Sequence, residues 1–141
     1  MLKLGPVQRF YRLRRFGEPV VVVSGLPRSG TSMMMRMLHA GGMPTLTDES
    51  RGADESNPHG YFEFSATKDA GAGADLRWLD EAKGKAVKLV SPLLEHLPSR
   101  YNYRVIFMQR DLREVIASQN VMLAKRGEAA STMTETELLS A

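Results

Sequence analysis

Short apolar runs alternate along the chain with segments of helical periodicity. A continuous apolar run predicts a buried strand over residues 20–24, and mainly apolar runs predict two further strands over residues 86–90 and 103–108. Apolar positions repeating at helical spacing predict helices over residues 6–16, 31–40, 76–82 and from 112 onward. Because strand and helix signals follow one another in turn, the pattern favours an α/β fold with a parallel central sheet and right-handed crossovers.

The first predicted helix carries an unusual concentration of positive charge. Pro6 suits its first turn and Gly17 its end. Five basic residues precede the first acid, Glu18: Lys3, Arg9, Arg12, Arg14 and Arg15. We interpret residues 1–18 as a basic N-terminal segment with a solvated helix, the alternative being contact with an anionic membrane or polymer. Membrane contact is the less favoured of the two.

The second predicted helix is rich in methionine. It carries Met33, Met34, Met35, Met37 and Leu38, and the Gly41-Gly42 pair stops it. Methionine adapts its shape to irregular gaps, so we expect these side chains to fill the core against the sheet. The last predicted helix begins with Asp111 and Glu114 in a capping-box spacing.

Composition narrows the classes of function. The chain has 141 residues and a formal net charge of only +3, which suits one domain and gives no general grip on nucleic acid. It has no cysteine, which excludes disulfides, thiolate chemistry and cysteine-ligated metals. It also lacks the continuous apolar segment of a membrane span or a signal peptide, so a cytoplasmic location is expected.

A glycine-bracketed loop follows the first predicted strand. Gly25 and Gly30 have P-loop spacing, and such a loop presents backbone N–H groups and a helix N-terminus to a phosphate or sulfate. Thr31 stands where a nucleotide hydrolase would carry lysine, and Arg28 places a cation inside the loop instead. The second strand is followed by Ser91 rather than by a metal-binding aspartate, which weakens the kinase interpretation.

The segment Gly25-Leu-Pro-Arg-Ser-Gly-Thr-Ser32 resembles the 5′-phosphosulfate loop of sulfotransferases that use 3′-phosphoadenylyl sulfate (PAPS), in the bacterial and tyrosylprotein form. Arg110, after the third strand, and Ser118, eight residues later, match the arginine-to-serine spacing with which these enzymes hold the 3′-phosphate. The resemblance runs from Val20 to Leu123. It implies that residues 19–141 form a three-layer P-loop domain, either complete or cut short at its C-terminus, that transfers a sulfuryl group from PAPS to a hydroxyl.

The resemblance also implies roles for individual residues. The loop would bind the phosphosulfate, and Arg28 would stabilise charge on the oxygen that leaves with the phosphate. The pair of Arg110 and Ser118 would bind the 3′-phosphate. The alternatives are an Arg110 salt bridge to a nearby carboxylate and a solvated Ser118. No metal is required. The predicted cofactor contacts are Arg28, Ser29, Gly30, Thr31, Ser32, Arg110 and Ser118.

A base for the acceptor hydroxyl is expected in the long excursion over residues 44–75. Glu49 lies about twenty residues after Arg28, near where tyrosylprotein-type members carry a glutamate. His59 is the second candidate, because imidazole titrates near neutrality, and Glu63 is the third. Trp78 is expected to fill the groove under the short helix. The acceptor is a small-molecule, carbohydrate or protein hydroxyl.

Two other functions stay open. One is a P-loop kinase or NTPase that binds Mg-ATP. The other is a non-catalytic nucleotide-binding module of the same fold. The chain itself is a fragment, a minimal family member or a protein that completes its site as a homo-oligomer.

Overall fold

The structure is a computed structural model that describes residues 5–48, 52, 60–68, 71, 73–125 and 127. The α-helices are α1 (Pro6–Phe16), α2 (Thr31–Ala40), α3 (Trp78–Glu81) and α4 (Leu112–Lys125). The strands are β1 (Val20–Gly25), β2 (Ala86–Val90) and β3 (Tyr103–Met108). Short 3₁₀ helices cover Ser65–Thr67 and Ser91–His96. These bounds confirm the predicted strands and long helices, while α3 is shorter than the predicted span.

The three strands form one parallel sheet in the order β2-β1-β3. Val21 pairs with Ala86 on one side of β1, and Val20 pairs with Tyr103 on the other. The four valines of β1 suit it to the centre of the sheet, where all of them are buried. An α/β fold with a parallel sheet is therefore confirmed.

Side chains on the two faces of the sheet enter two separate cores. Val20 and Val22 of β1 pack with Trp78 and Leu79 of α3 on one face. Val21 and Val23 pack with Met35 of α2 on the opposite face. The sheet is thus the middle of three layers, because successive residues of a strand point to opposite sides. Trp78 fills the core as expected, with Phe64 against its ring edge.

The expectation that all the methionines of α2 fill the core is wrong. Met35 is fully buried and Met34 partly so, but Met33 and Met37 are exposed, because α2 presents only one face to the sheet. On the third strand, Val105 and Phe107 are about half exposed. Among the described strands β3 lies at an edge of the sheet, where fewer elements cover it.

No helix within the described ranges is long and apolar enough to cross a membrane.

Candidate functional site

The β1–α2 loop (residues 26–30) turns sharply between the central strand and α2. The backbone N–H of Ser29 donates to the Leu26 carbonyl over 3.1 Å, which closes the turn. Gly30 precedes α2 in the left-handed region, at φ 98°. Arg28 also has a positive φ, 72°, which is an uncommon and strained conformation for a residue with a side chain. Such strain persists only where the surroundings fix the backbone, and it is frequent at functional sites.

Gly25 is required by close packing beneath the loop. A Cβ at this position would lie 2.6 Å from Ser29 Oγ and 2.7 Å from the Met108 carbonyl oxygen. Its φ of 149° also disfavours any residue with a side chain. The glycine at the end of β1 therefore lets the loop pass directly over the end of β3.

A cleft of about 390 Å³ opens at the carboxyl ends of the strands. This edge of a parallel α/β sheet is where such folds usually bind ligands. All but one of the residues predicted to contact the cofactor line it, namely Arg28, Gly30, Thr31, Ser32, Arg110 and Ser118. The structure thus brings the loop and the Arg110–Ser118 pair, which are far apart in sequence, to one cavity.

Hydrogen bonds join the loop to α4. Arg28 Nε donates to Ser118 Oγ over 3.0 Å, and Arg110 Nη1 donates to the Arg28 carbonyl over 3.2 Å. Gln119 Nε2 donates to the Pro27 carbonyl over 3.3 Å. Two anion sites some distance apart were expected, but here Arg28 and Ser118 are in direct contact. The guanidinium has further N–H groups that can reach an anion in the cleft.

Arg110 has a second partner. Its Nε lies 2.8 Å from Glu114 Oε2, one turn along α4, and both side chains are well exposed. This is the salt bridge that the sequence left open as an alternative. Asp111 Oδ1 accepts a 2.9 Å hydrogen bond from the Arg113 backbone N–H, so Asp111 caps α4 as expected. The structure places Glu114 against Arg110.

Ser29 lies behind the loop rather than in the cleft. Its side chain is buried near Gly25, and its Oγ is one of the buried side-chain polar atoms in the described residues without a hydrogen-bond partner. Its backbone N–H is used within the turn. The expected contact of Ser29 with the cofactor therefore stays a prediction, with no support from its position.

Lys88 lines the cleft, although the sequence pattern did not predict it as a site residue. It lies on β2 opposite Val23, and its Nζ is 2.8 Å from the Tyr61 carbonyl and 3.4 Å from Ser32 Oγ. Glu63 Oε1 is 3.8 Å from the same Nζ. A mostly buried lysine in an apolar strand needs such partners. The interruption of an apolar run by lysine was the available signal.

Glu63 is the candidate base that the structure places at the cleft. It lies between Lys88 and Lys68, whose Nζ is 3.5 Å from Glu63 Oε2. Glu63, Lys88 and Val90 also line a second cavity of about 300 Å³. The carboxylate therefore stands at the boundary between two cavities. Glu49 and His59 lie outside the described residues, and their roles stay predictions.

The segment beside Glu63 is held in an unusual conformation. Phe62 has φ 52°, and together with Arg28 it makes up the non-glycine residues of positive φ in the described chain. The preceding carbonyl, of Tyr61, accepts hydrogen bonds from Lys88 Nζ and from Ser32 Oγ, the latter over 3.2 Å. Both strained residues thus lie in segments that border the cleft.

Positive charge dominates the cleft. Among the described residues, Arg28, Lys88 and Arg110 line it together with one carboxylate, that of Glu63. The N-terminus of α2 adds its partial positive charge next to Thr31 and Ser32. This arrangement can bind an anion carrying more than one negative charge. The part of the chain that the structure describes contains no group of three or more His, Cys, Asp or Glu side chains placed to hold a metal ion.

Comparison with known proteins identifies no relative: no protein-family model, no curated protein and no solved structure matches the chain.

Proposed function

We propose that this protein binds PAPS and transfers its sulfuryl group to an acceptor hydroxyl. The observation that carries the proposal is the meeting of two anion-binding elements on one cleft. The β1–α2 loop, with Arg28, and the Arg110–Ser118 pair line the same cleft, where Arg28 Nε donates directly to Ser118 Oγ. PAPS carries a phosphosulfate and a separate 3′-phosphate, so its recognition needs two such elements.

The phosphosulfate would sit at the N-terminus of α2. There Thr31 and Ser32 offer hydroxyls, and the backbone N–H groups of the first turn have no partner within the helix. Lys88 would approach the same group from β2, since its Nζ already lies 3.4 Å from Ser32 Oγ. The 3′-phosphate would exchange for Glu114 at Arg110, a guanidinium suited to a bidentate phosphate contact.

The reaction requires an in-line displacement at sulfur. The acceptor oxygen forms a bond to sulfur while the bond from sulfur to the bridging oxygen breaks. The bridging oxygen leaves on the 5′-phosphate of adenosine 3′,5′-bisphosphate and takes up the negative charge. Arg28 and Lys88 would stabilise that charge, and this type of electrostatic term is usually the largest in such chemistry.

Glu63 is the base that the geometry favours. Its carboxylate would take the proton of an acceptor hydroxyl that enters through the second cavity, lined also by Thr67 and Leu93. Glu49 and His59 remain the candidates that the sequence favours, and a variant series at all three positions would decide among them.

One observation supports a different function. Lys88 supplies a lysine to the loop from a neighbouring strand, and it could bind the phosphates of Mg-ATP in place of the missing loop lysine. The protein would then be a kinase or an NTPase. A module that binds the nucleotide without turnover is the remaining alternative.

Ligand-induced thermal shifts separate these functions. We expect adenosine 3′,5′-bisphosphate and PAPS to raise the Tm more than adenosine 5′-phosphosulfate, which lacks the 3′-phosphate. Arg110→Ala should abolish that preference, whereas Arg113→Ala, an exposed arginine on the same helix, should preserve it. Stabilisation by Mg-ATP that equals that by PAPS and is insensitive to Arg110→Ala would reject the proposal.

Turnover is measured as release of the bisphosphate from PAPS in the presence of phenols, alcohols and saccharides. Glu63→Gln should lose turnover by about a hundredfold and keep bisphosphate binding, if Glu63 is the base. Binding of PAPS by the wild type with no turnover on any acceptor would instead support the non-catalytic module.

A further inference from the structure

Helix α1 contacts the rest of the protein through polar side chains rather than through its apolar stripe. Arg12 and Phe16, one turn apart, are half buried, and Arg12 Nε donates to Asn102 Oδ1 over 3.0 Å. Asn102 Nδ2 in turn donates to the Gly17 carbonyl at the end of the helix, over 3.4 Å. The helix is therefore held to the body by polar contacts near its C-terminus.

The opposite face of α1 is apolar and exposed. Val7, Phe10 and Tyr11 lie together at helical spacing and are 79%, 61% and 57% exposed. Leu13 is exposed beside them, and no α1 side chain, all of which the structure describes, is buried. Amphipathic helices of globular domains usually bury the apolar stripe, and this one points it outward.

Arginines surround this outward face. Besides Arg12, which faces the body, the helix contains the exposed Arg9, Arg14 and Arg15 and no acidic residue. Arg14 lies over the Phe10 ring, with 5.9 Å from its Cζ to the ring centroid, so charge and aromatic surface are adjacent. The surface therefore complements a partner that is both negatively charged and able to accept apolar side chains.

We propose that α1 docks on an anionic lipid bilayer and lies in the plane of its headgroups. A basic helix whose other face carries Phe, Tyr, Val and Leu is the arrangement by which interfacial helices bind. Lipid is favoured over RNA, because Val7 and Leu13 offer nothing that a phosphate or a base edge could bind, whereas the acyl boundary accepts them. Eleven residues are too few to span a bilayer, so the helix lies on the membrane.

The docking face is remote from the cleft. Helix α1 is anchored next to the first residues of β1 and β3, through Gly17 and Asn102. The cleft lies at the other ends of these strands, beside Gly25 and Arg110. Membrane binding would leave the cleft open to a water-soluble ligand, so the two properties can be tested separately.

Co-sedimentation of the full chain with vesicles tests the proposal. We expect binding to phosphatidylcholine vesicles that contain phosphatidylserine, little binding to pure phosphatidylcholine, and loss of binding as salt rises. Arg14→Glu with Arg15→Glu should weaken binding by about tenfold or more. Val7→Ser with Phe10→Ser should weaken it by about tenfold as well, because the apolar contacts are removed.

Matched control variants carry the same kinds of substitution at exposed positions outside α1. Arg36→Glu with Arg104→Glu reverses two exposed charges on α2 and β3, and Met37→Ser with Val121→Ser removes two exposed apolar side chains. Both control pairs should retain most of the wild-type binding. In Phe10→Trp, the tryptophan emission should shift to the blue on addition of anionic vesicles.

Three results would overturn the proposal. The first is no binding of the wild type to anionic vesicles at low salt. The second is binding that the control pairs weaken as much as the α1 pairs. The third is binding that depends on Arg14 and Arg15 but not on Val7 and Phe10, with RNA bound more tightly than vesicles, which would assign α1 to a polyanion.

Discussion

The two ends of the parallel sheet use polar groups in opposite ways. At the amino end, Asn102 accepts from Arg12 and donates to the Gly17 carbonyl, while its own carbonyl accepts from the Val20 N–H. Tyr103 Oη donates to the Pro98 carbonyl over 3.0 Å. Each of these hydrogen bonds connects one segment of the fold to another. We call these connecting groups structural joints, and their role is to stabilise the fold.

At the carboxyl end, the described residues place several positively charged side chains around an open cleft. Within the described residues, Arg28, Lys88 and Arg110 line the cleft; Lys88 lies near Glu63, and Arg110 pairs with Glu114. Each of the three cations also contacts a backbone carbonyl or a hydroxyl. The backbone there is also strained at Arg28 and Phe62. The difference suggests that replacing polar side chains at the amino end should change stability, and that replacing the charged side chains at the carboxyl end should change ligand binding.

The sharpest test compares glycines at the two ends. Gly25→Ala should lower the free energy of unfolding by about 3 kcal/mol, because the added Cβ meets the Met108 carbonyl, which is backbone and cannot rotate away. Gly84→Ala also has a positive φ, but its Cβ meets the end of the Glu18 side chain, which can move. We expect about 1 kcal/mol there from the backbone conformation. Urea denaturation measures both.

Equal losses in the two variants would contradict this account. They would mean that the positive φ, which the two glycines share, outweighs the close packing of the loop against β3.

The second test removes the joint at the amino end. Asn102→Ala should cost about 2 kcal/mol, since it leaves Arg12 and the Gly17 carbonyl without their partner. Asn102→Asp keeps the acceptor for Arg12 and should cost about half as much. Binding of adenosine 3′,5′-bisphosphate, followed by calorimetry, should be unchanged in both, and a loss of affinity would contradict the separation of the two ends.

The sequence predicts the secondary-structure elements better than it predicts which distant residues contact one another. The apolar runs and helical periodicity correctly indicate the strands, α1 and α2, because both signals are local. The contact between Arg28 and Ser118 spans 90 positions, and no local pattern predicts it. The lysine within β2 is visible in the sequence, but its place at the cleft is not. Its partners Tyr61 and Glu63 lie in a distant segment, which a local strand pattern cannot identify.

The solvent exposure of individual apolar side chains was the other property that the sequence did not predict. Periodicity shows which residues share a helix face, but not which face meets the body. The same limit explains Met33 and Met37 on α2, and the outward Val7 and Phe10 on α1. For β3, the apolar run gave no sign that Val105 and Phe107 lie on an edge strand.

The third test separates strain from binding at Arg28. Arg28→Gly and Arg28→Ala both remove the hydrogen bond to Ser118. Only glycine relieves the left-handed backbone, at φ 72°, so it should be more stable than alanine by about 0.5 to 1 kcal/mol. Both should weaken bisphosphate binding by about tenfold or more. If alanine proves as stable as glycine, the loop is not strained at this residue.

The smallest effect at neutral pH is expected at Tyr103. Tyr103→Phe removes the hydrogen bond to the Pro98 carbonyl and should cost about 0.5 kcal/mol. Burial, and secondarily the neighbouring Tyr101, raises the pKa of Tyr103 from 10.0 to about 12, while Arg100 opposes them. As the pH rises, the Tyr103 hydroxyl therefore ionises at a lower pH in the unfolded chain than in the folded protein. Its contribution to stability is complete below pH 10 and is lost as the pH rises toward 12.

The free energy of unfolding of the wild type should accordingly fall over that range more steeply than that of Tyr103→Phe. Denaturation at a series of pH values measures the two slopes. Equal slopes would show that Tyr103 is not buried enough to resist ionisation. That result would remove one of the joints assigned to the amino end, and with it part of the contrast between the two ends of the sheet.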